Sequence, residues 1–244
     1  MYNLYSRYLR HIVLPDIGLY GHDILHKSKI LCIGAGGLGS PALTYLSMIG
    51  IGMLGIIDFD CVDISNLNRQ FIFNESHIGK KKVICVKKYI KKINSKINII
   101  IYSDRLYYNN CYNIFINYDL ILDCTDNLET KFLISDHAIK LNIPVIHGAV
   151  SGFGGYVSVL KKNVLCYRCI YNNFKTFDCL DFGIFGPIAG IIGIIQASES
   201  IKILLNNNIK KKYSTLEAKL FILNLKTLNF TLLNLNRNIK CKIC

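Results

Sequence analysis

Three groups of residues in this 244-residue chain have the types and spacing to do chemistry. The first is a pair of Cys-x-x-Cys motifs, Cys166 with Cys169 and Cys241 with Cys244, with 71 residues between them. Two such knuckles offer four thiolates, the set that tetrahedral Zn²⁺ takes in a closed structural site. Neither pair opens a helix after a strand, so a redox role is disfavoured and the metal is expected to tie the chain end back to the main sheet. The second group is Gly34-Ala35-Gly36-Gly37-Leu38-Gly39, which satisfies G-x-G-x-x-G through Gly34, Gly36 and Gly39. Such glycines let the backbone approach a phosphate while the N–H groups of the following helix favour an anion. Asp58, 19 residues after Gly39, ends a second β-type run, where an acid accepts from ribose hydroxyls. The third group is polar: Asn66, Arg69, Lys82, Asp126 and Asn127. Arg69 and Lys82 suit a triphosphate and Asp126 suits Mg²⁺, which prefers one or two carboxylates plus phosphate oxygens. Lys82 alone also reads as a solvated helix lysine; the combination is more telling. The glycine loop by itself permits an NAD-dependent dehydrogenase as well.

These residues need a scaffold, and the apolar pattern supplies one. Lys29 to Ile33 reads as a buried parallel strand, with a helix through Ser40 to Ile49 and a strand from Met53 to Ile57. Asp63 to Gln70 is a polar connection without apolar period, more often functional than filler. Helical spacing of Val83, Val86, Ile90 and Ile93 follows, under a basic face. Strands are expected at Ile97 to Tyr102, Asp119 to Cys124 and Pro144 to His147, separated by helices around Leu106 to Ile116 and Glu129 to Leu141. This alternation predicts an α/β fold with a doubly wound, Rossmann-like, mostly parallel sheet. Past His147 the pattern changes to a glycine-rich turn at Ser151 to Gly155, an antiparallel strand at Tyr156 to Leu160, a long apolar helix from Pro187 to Leu205, and hairpin strands at Leu220 to Leu223 and Leu228 to Leu233. The expectation is one continuous domain over 1–244: an N-terminal arm at 1–28, a nucleotide-binding half at 29–150, and an antiparallel extension with the zinc staple at 151–244.

Composition bounds the partners. A hydrophobic share of 51% supports a real core. The net charge of +13 comes with lysines that are scattered or confined to loops, and no aromatic and basic platform for bases is visible, so nucleic acid is not expected as a partner. No apolar leader precedes Leu9, and the most apolar run, Ile184 to Ile195, is too short to span a bilayer. A cytoplasmic protein without a membrane partner is therefore expected, in which the ten cysteines serve metal binding or catalysis.

Taken in order, Arg7-Tyr8-Leu9-Arg10, the glycine loop, Asp58-Phe59-Asp60, Ser65-Asn66-Leu67-Asn68-Arg69-Gln70, Asp123-Cys124-Thr125-Asp126-Asn127, Cys166-Tyr167-Arg168-Cys169, Gly186-Pro187 and the final Cys-x-x-Cys resemble the ThiF/MoeB family of adenylyltransferases over nearly the whole chain. The resemblance implies a homodimer that uses Mg-ATP to adenylate the C-terminal Gly-Gly carboxylate of a ubiquitin-like sulfur-carrier protein, releasing pyrophosphate. It implies nucleotide contacts from Gly34, Gly36, Gly37, Gly39, Asp58, Asp60, the Ser65–Asn68 segment, Arg69 and Lys82, with Asp126 and Asn127 handling Mg²⁺ and phosphates. It also implies that Arg10 reaches the phosphates of the neighbouring subunit, where spacing alone suggests a solvated arm. Ala149 to Gly155 looks more like the thiazole (thiamine) branch with its ThiS-like carrier; the molybdopterin branch with a MoaD-like carrier is the alternative. Cys179 lies where thiazole-branch members carry a cysteine implicated in a covalent carrier intermediate, and otherwise reads as an ordinary loop thiol. No sulfurtransferase domain follows the zinc knuckle in this sequence, so a separate sulfur donor protein is expected. Lys131 departs from the family, standing where an arginine is common and forfeiting a bidentate contact; His22 and Ser95 are departures read as structural.

Overall fold

The computed structural model describes residues 6–173, 183–209 and 213–244. Cys179 lies outside them. In chain order the elements are α1 (Leu9–Ile12), α2 (Gly18–Lys27), β1 (Lys29–Ile33), α3 (Gly39–Ile49), β2 (Met53–Ile57), α4 (Lys82–Ile93), β3 (Asn98–Tyr102), α5 (Tyr108–Phe115), β4 (Leu120–Asp123), α6 (Leu128–Lys140), β5 (Val145–Ser151), β6 (Gly154–Leu160), α7 (Tyr167–Asn173), α8 (Gly186–Asn206), β7 (Lys219–Asn224) and β8 (Asn229–Asn234).

All eight strands form one sheet, ordered β3-β2-β1-β4-β5-β6-β7-β8. The first five in that order run parallel and the last three are added antiparallel. The chain winds outward from β1 to β3 and then returns to lay β4 on the other side of β1. The carboxyl ends of β1 and β4 are therefore the switch point where open α/β sheets form their ligand crevice. In β1, Ile30 and Cys32 face one core while Leu31 and Ile33 face the other, so a strand covered on both sides reads as an unbroken apolar run. Helices α2, α3, α4 and α8 contribute Leu25, Leu43, Val83 and Ile192 to the first core. Helices α5, α6 and α7 contribute Phe115, Ile134 and Ile170 to the second.

Three expectations are sharpened. The Ser151 to Gly155 stretch is not a free turn: β5 runs on to Ser151 and pairs in register with β6, leaving Gly152, at φ +54°, and Phe153 to make the reversal. The apolar run from Ile184, expected to be too short for a bilayer, leads into a 21-residue helix, α8, that is long and apolar enough by composition to cross one, yet 61% of its most apolar window is buried inside the fold. Buried polar groups on α8 have internal partners: Glu199 accepts from the Leu216 N–H at 2.8 Å, and the Gln196 amide donates to the Asp123 and Ile146 carbonyls at 2.8 and 3.0 Å. Finally, the N-terminal arm is anchored rather than solvated. Tyr8 is buried, its hydroxyl accepts from the Asn94 amide at 2.8 Å, and its ring fills the space that Gly50 leaves open. His22 lies against the Tyr8 ring, 4.2 Å between centroids, in the structural role expected of it, while Ser95 is exposed.

Candidate active site

A cleft opens at the switch point, lined by the glycine loop, Asp58, Asp60, Arg69, Lys82, Asp126 and Asn127. Residues from five separate stretches of sequence thus converge on one place. Gly34, just past β1, has φ +94°, and a Cβ there would lie 2.6 Å from the Cys124 carbonyl oxygen. Only glycine permits the two strand ends to touch in this way. A side chain at Gly39 would collide with the Gly34 carbonyl, so this residue closes the turn rather than facing the cleft. Gly37 is different again: a Cβ would stand 3.2 Å from that of Ala189 on α8, so its smallness also lets the loop pack against that helix.

Asp58 holds the loop from the end of β2. One carboxylate oxygen accepts from the Ala35 N–H at 2.8 Å and the other from the Asp60 N–H at 2.9 Å. Burial pushes its carboxyl upward, while the Lys82 charge and these two donors pull it back. Lys82, at the first turn of α4, is buried apart from a small fraction, and its ammonium meets Asp60 at 2.9 Å. The lysine is therefore held beside Asp60 and Asp58 and does not extend freely into solvent. Asp60 is half-exposed and leaves that ammonium accessible to a ligand in the cleft.

The polar connection after β2 is a short 3₁₀ turn, Ile64–Asn66, closed by a capping box between Asp63 and Asn66. Arg69 folds back onto it. The guanidinium donates to the Ser65 carbonyl at 2.8 Å and to the Asn68 side-chain oxygen at 2.9 Å, so Ser65 and Asn68 brace the cation. Ser65, Asn66, Leu67 and Asn68 do not themselves line the cleft, and Leu67 packs onto the core. On the opposite wall Asp126 is exposed, and Asn127 caps α6 by accepting from the Thr130 N–H at 2.9 Å. Arg10 lies exposed on α1 and is not among the residues lining this cleft.

Several contributors were not singled out from sequence. Gln70 is buried against Gly36, with its side-chain carbonyl oxygen unpartnered among the described residues. Arg105 lays its guanidinium 4.8 Å from the centroid of the Phe59 ring at the cleft edge. Lys131, expected only as a departure from the family, is the larger surprise. It is only 1% exposed, with its ammonium 3.4 Å from Asp123 and donating to the Gly148 carbonyl at 2.9 Å. The departure from arginine thus costs no partner. Gln70 and Phe59 lie inside the motif segments, whereas nothing in the spacing marks Arg105.

The two cysteine knuckles meet as expected. Against expectation, Cys166 and Cys169 do open a helix after a strand, α7 after β6, so it is the four-thiol cluster and not their position that sets the redox reading aside. The chain end brings Cys241 and Cys244 to them, with all four sulfurs within 4.8 Å of one another. The separations of 3.7 Å (Cys166 to Cys169) and 3.5 Å (Cys166 to Cys241, Cys169 to Cys244) match the edges of a tetrahedron. A Zn–S bond of ~2.3 Å gives edges of ~3.8 Å. Three of the thiols are buried and no further ligand is needed, so the donor set fits a structural zinc.

Residues 8–243 match the family model described as ThiF family. The chain is 44% identical over 207 residues to the probable molybdopterin-synthase adenylyltransferase of Porphyra purpurea, an alignment covering 82% of this chain and 54% of that protein. It is 41% identical over 202 residues to adenylyltransferase and sulfurtransferase MOCS3-1 of Zea mays (81% and 43%). It is 42% identical over 207 residues to adenylyltransferase and sulfurtransferase UBA4 of Candida albicans (82% and 47%). The chain spans about half the length of the curated relatives it matches. Among solved structures, E. coli MccB with ATP superposes with a TM-score of 0.80 at 22% identity, over 91% of this chain and 68% of that one. The SeMet PaaA structure gives 0.79 at 22%, over 96% and 74%. Those two likenesses establish the fold, and with the family match over nearly the full length the conclusion is that this chain belongs to the ThiF family.

Proposed function

We propose that the protein is an ATP-dependent adenylyltransferase that activates the C-terminal carboxylate of a ubiquitin-like sulfur-carrier protein. The observation that carries this reading is the convergence of Arg69, Lys82 and Asp126 on one cleft beside the glycine loop. Two cations and a separate carboxylate suit Mg-ATP, and a hydride-transfer site has no need of them. The carrier carboxylate attacks the α-phosphate, forming a carboxyl–phosphate anhydride and releasing pyrophosphate. Asp58 would hold the ribose, Lys82 and Arg69 the phosphates, and Asp126 with Asn127 the metal side of the triphosphate. Bound Mg²⁺ would neutralise charge on the phosphate oxygens. Such chemistry depends on positioning and charge stabilisation, and the braced Arg69 and the Asp60-held Lys82 are both pre-oriented.

The names of the curated relatives favour a MoaD-like carrier over the ThiS-like one suggested by residues 149–155, because molybdopterin synthesis appears among them. We extend the proposal to a pair of subunits, each lending Arg10 to the other. Leu9, Val13 and Leu14 leave an apolar face exposed on and just after the helix that carries Arg10, a surface suited to burial against a second copy. Light scattering that returns a monomer at micromolar concentration would remove this extension.

The decisive test is carrier-dependent exchange of labelled pyrophosphate into ATP, with MoaD-type and ThiS-type carriers offered separately. Exchange is expected with the first, with ATP bound in preference to NAD. Asp126→Ala is expected to abolish exchange, and full exchange in that variant overturns the mechanism. Cys179→Ala is expected to leave exchange intact, since forming the anhydride needs no thiol.

A further inference from the structure

Behind the cleft wall lies a charged cluster that the adenylylation reading does not use. Asp123, at the end of β4, and Lys131, on α6, are each 1% exposed, and His147, on β5, is fully buried. The Asp123 carboxylate is crowded with donors: His147 Nδ1 at 2.6 Å, Thr125 Oγ1 at 2.6 Å and the Thr125 N–H at 3.1 Å, with the Lys131 ammonium 3.4 Å away. Because Asp123 is the acceptor, the His147 proton sits on Nδ1. Nε2 is then a bare acceptor, buried with no hydrogen-bond partner among the described residues and with the Tyr156 and Tyr167 rings against the imidazole. A second proton on that nitrogen would have nowhere to point. The cluster therefore holds one positive charge, one negative charge and a neutral imidazole.

Its mechanical links lead to the cleft. Thr125 is bound to Asp123 by both its N–H and its hydroxyl, and this fixes the turn one residue before Asp126. The Cys124 N–H donates to Ile33 at 2.9 Å, and the Cys124 carbonyl occupies the space over Gly34. Lys131 ties α6 to β5 through Gly148, and His147 braces the same carboxylate from that strand. Any shift of Asp123 is thus passed to both the Asp126 turn and the glycine loop.

We propose that Asp123, Lys131 and His147 form a charge-neutral positioning triad that sets where the Cys124–Asn127 loop stands against the glycine loop. These are positioning residues, acting through Thr125 and Cys124 without touching substrate. Their meaning for catalysis rests on the adenylyltransferase reading; their effect on the loop does not. Hydrogen exchange on the full chain without ligand tests the loop directly. Lys131→Met and His147→Leu are expected to speed exchange at the hydrogen-bonded Cys124 and Thr125 amides by about tenfold or more while the β7–β8 amides hold their protection. Lys131→Arg and His147→Asn, which keep the charge and the donor, are expected to restore protection. In pyrophosphate exchange the first two variants should raise the Mg²⁺ concentration for half-maximal rate by about tenfold. Thr125→Val, which removes only the hydroxyl link, should move both readouts in the same direction and serves if the buried variants do not fold. Wild-type protection of the loop in Thr125→Val, or faster exchange spread evenly over the sheet, overturns the triad. A wild-type protein without pyrophosphate exchange instead counts against the proposed function and leaves the hydrogen-exchange result standing.

Discussion

A lysine and an aspartate with almost no exposed surface are a commitment that single substitutions reveal. Removing one member of a buried ion pair strands the other, so Lys131→Met is expected to lower stability by about 3–5 kcal/mol in denaturant melts, with Lys131→Arg much milder. The same cluster makes stability depend on pH. Burial and the nearby Lys131 charge lower the His147 pKa, against the pull of Asp123. Burial alone would raise Asp123, but Lys131, His147 and Thr125 together hold it well below the usual carboxylate range. Both groups therefore take up protons more readily in the unfolded chain. Stability should fall as pH drops below about 6.5 through His147, and again below about 4 through Asp123. Melts of wild type and His147→Leu at pH 7.5 and 5.5 check the first step, which should be smaller in the variant, the remainder coming from His22, His77 and His137, whose pKa values burial also lowers. None of this was legible in the sequence. Asp123 and Lys131 are eight positions apart and His147 lies a further 16 on, in a helix and a strand whose patterns look ordinary. The glycines and Asp58 were legible because their spacing is itself the signal.

At the level of elements, the turns at the ends of β1 and β4 meet at Gly34. Gly34→Ala would force a side chain into the Cys124 carbonyl at a φ that L-residues avoid. It is expected to destabilise by about 1–3 kcal/mol and to weaken ATP binding, as thermal shift with and without nucleotide would show. Gly152→Ala provides a contrast: its φ is also positive, but nothing crowds it, so only the backbone cost should appear. Most elements were readable because strands buried on both faces and amphipathic helices leave clear periods. One exception is informative. The length of β5 was hidden because Gly148 and Ser151 look like turn residues, whereas Gly148 is small to admit the Gln196 side chain from α8. By contrast, α8 was legible as a long apolar helix that does not span a bilayer, and Gln196 and Glu199, which bond inward, fit its place in the core.

For the molecule as a whole, the thiol cluster joins the last residues to the start of α7, under the second core. Withdrawing zinc with a chelator is expected to lower the melting temperature by several degrees, and Cys241→Ser should do the same without chelator. An unchanged melting curve with the metal demonstrably gone would refute the staple. The separation of its halves also has a consequence for the order of assembly. Cys241 and Cys244 lie 75 positions from their partners, and the chain that carries them back runs through α8 and the β7–β8 pair laid antiparallel on β6. Closing so long a loop before those strands pair would be entropically slow, so the metal should be captured late. In a refolding experiment followed with a zinc-sensitive dye, uptake should lag behind the return of sheet signal. The ion would then act as a latch on a finished fold, with its uptake marking the moment the chain is completely assembled.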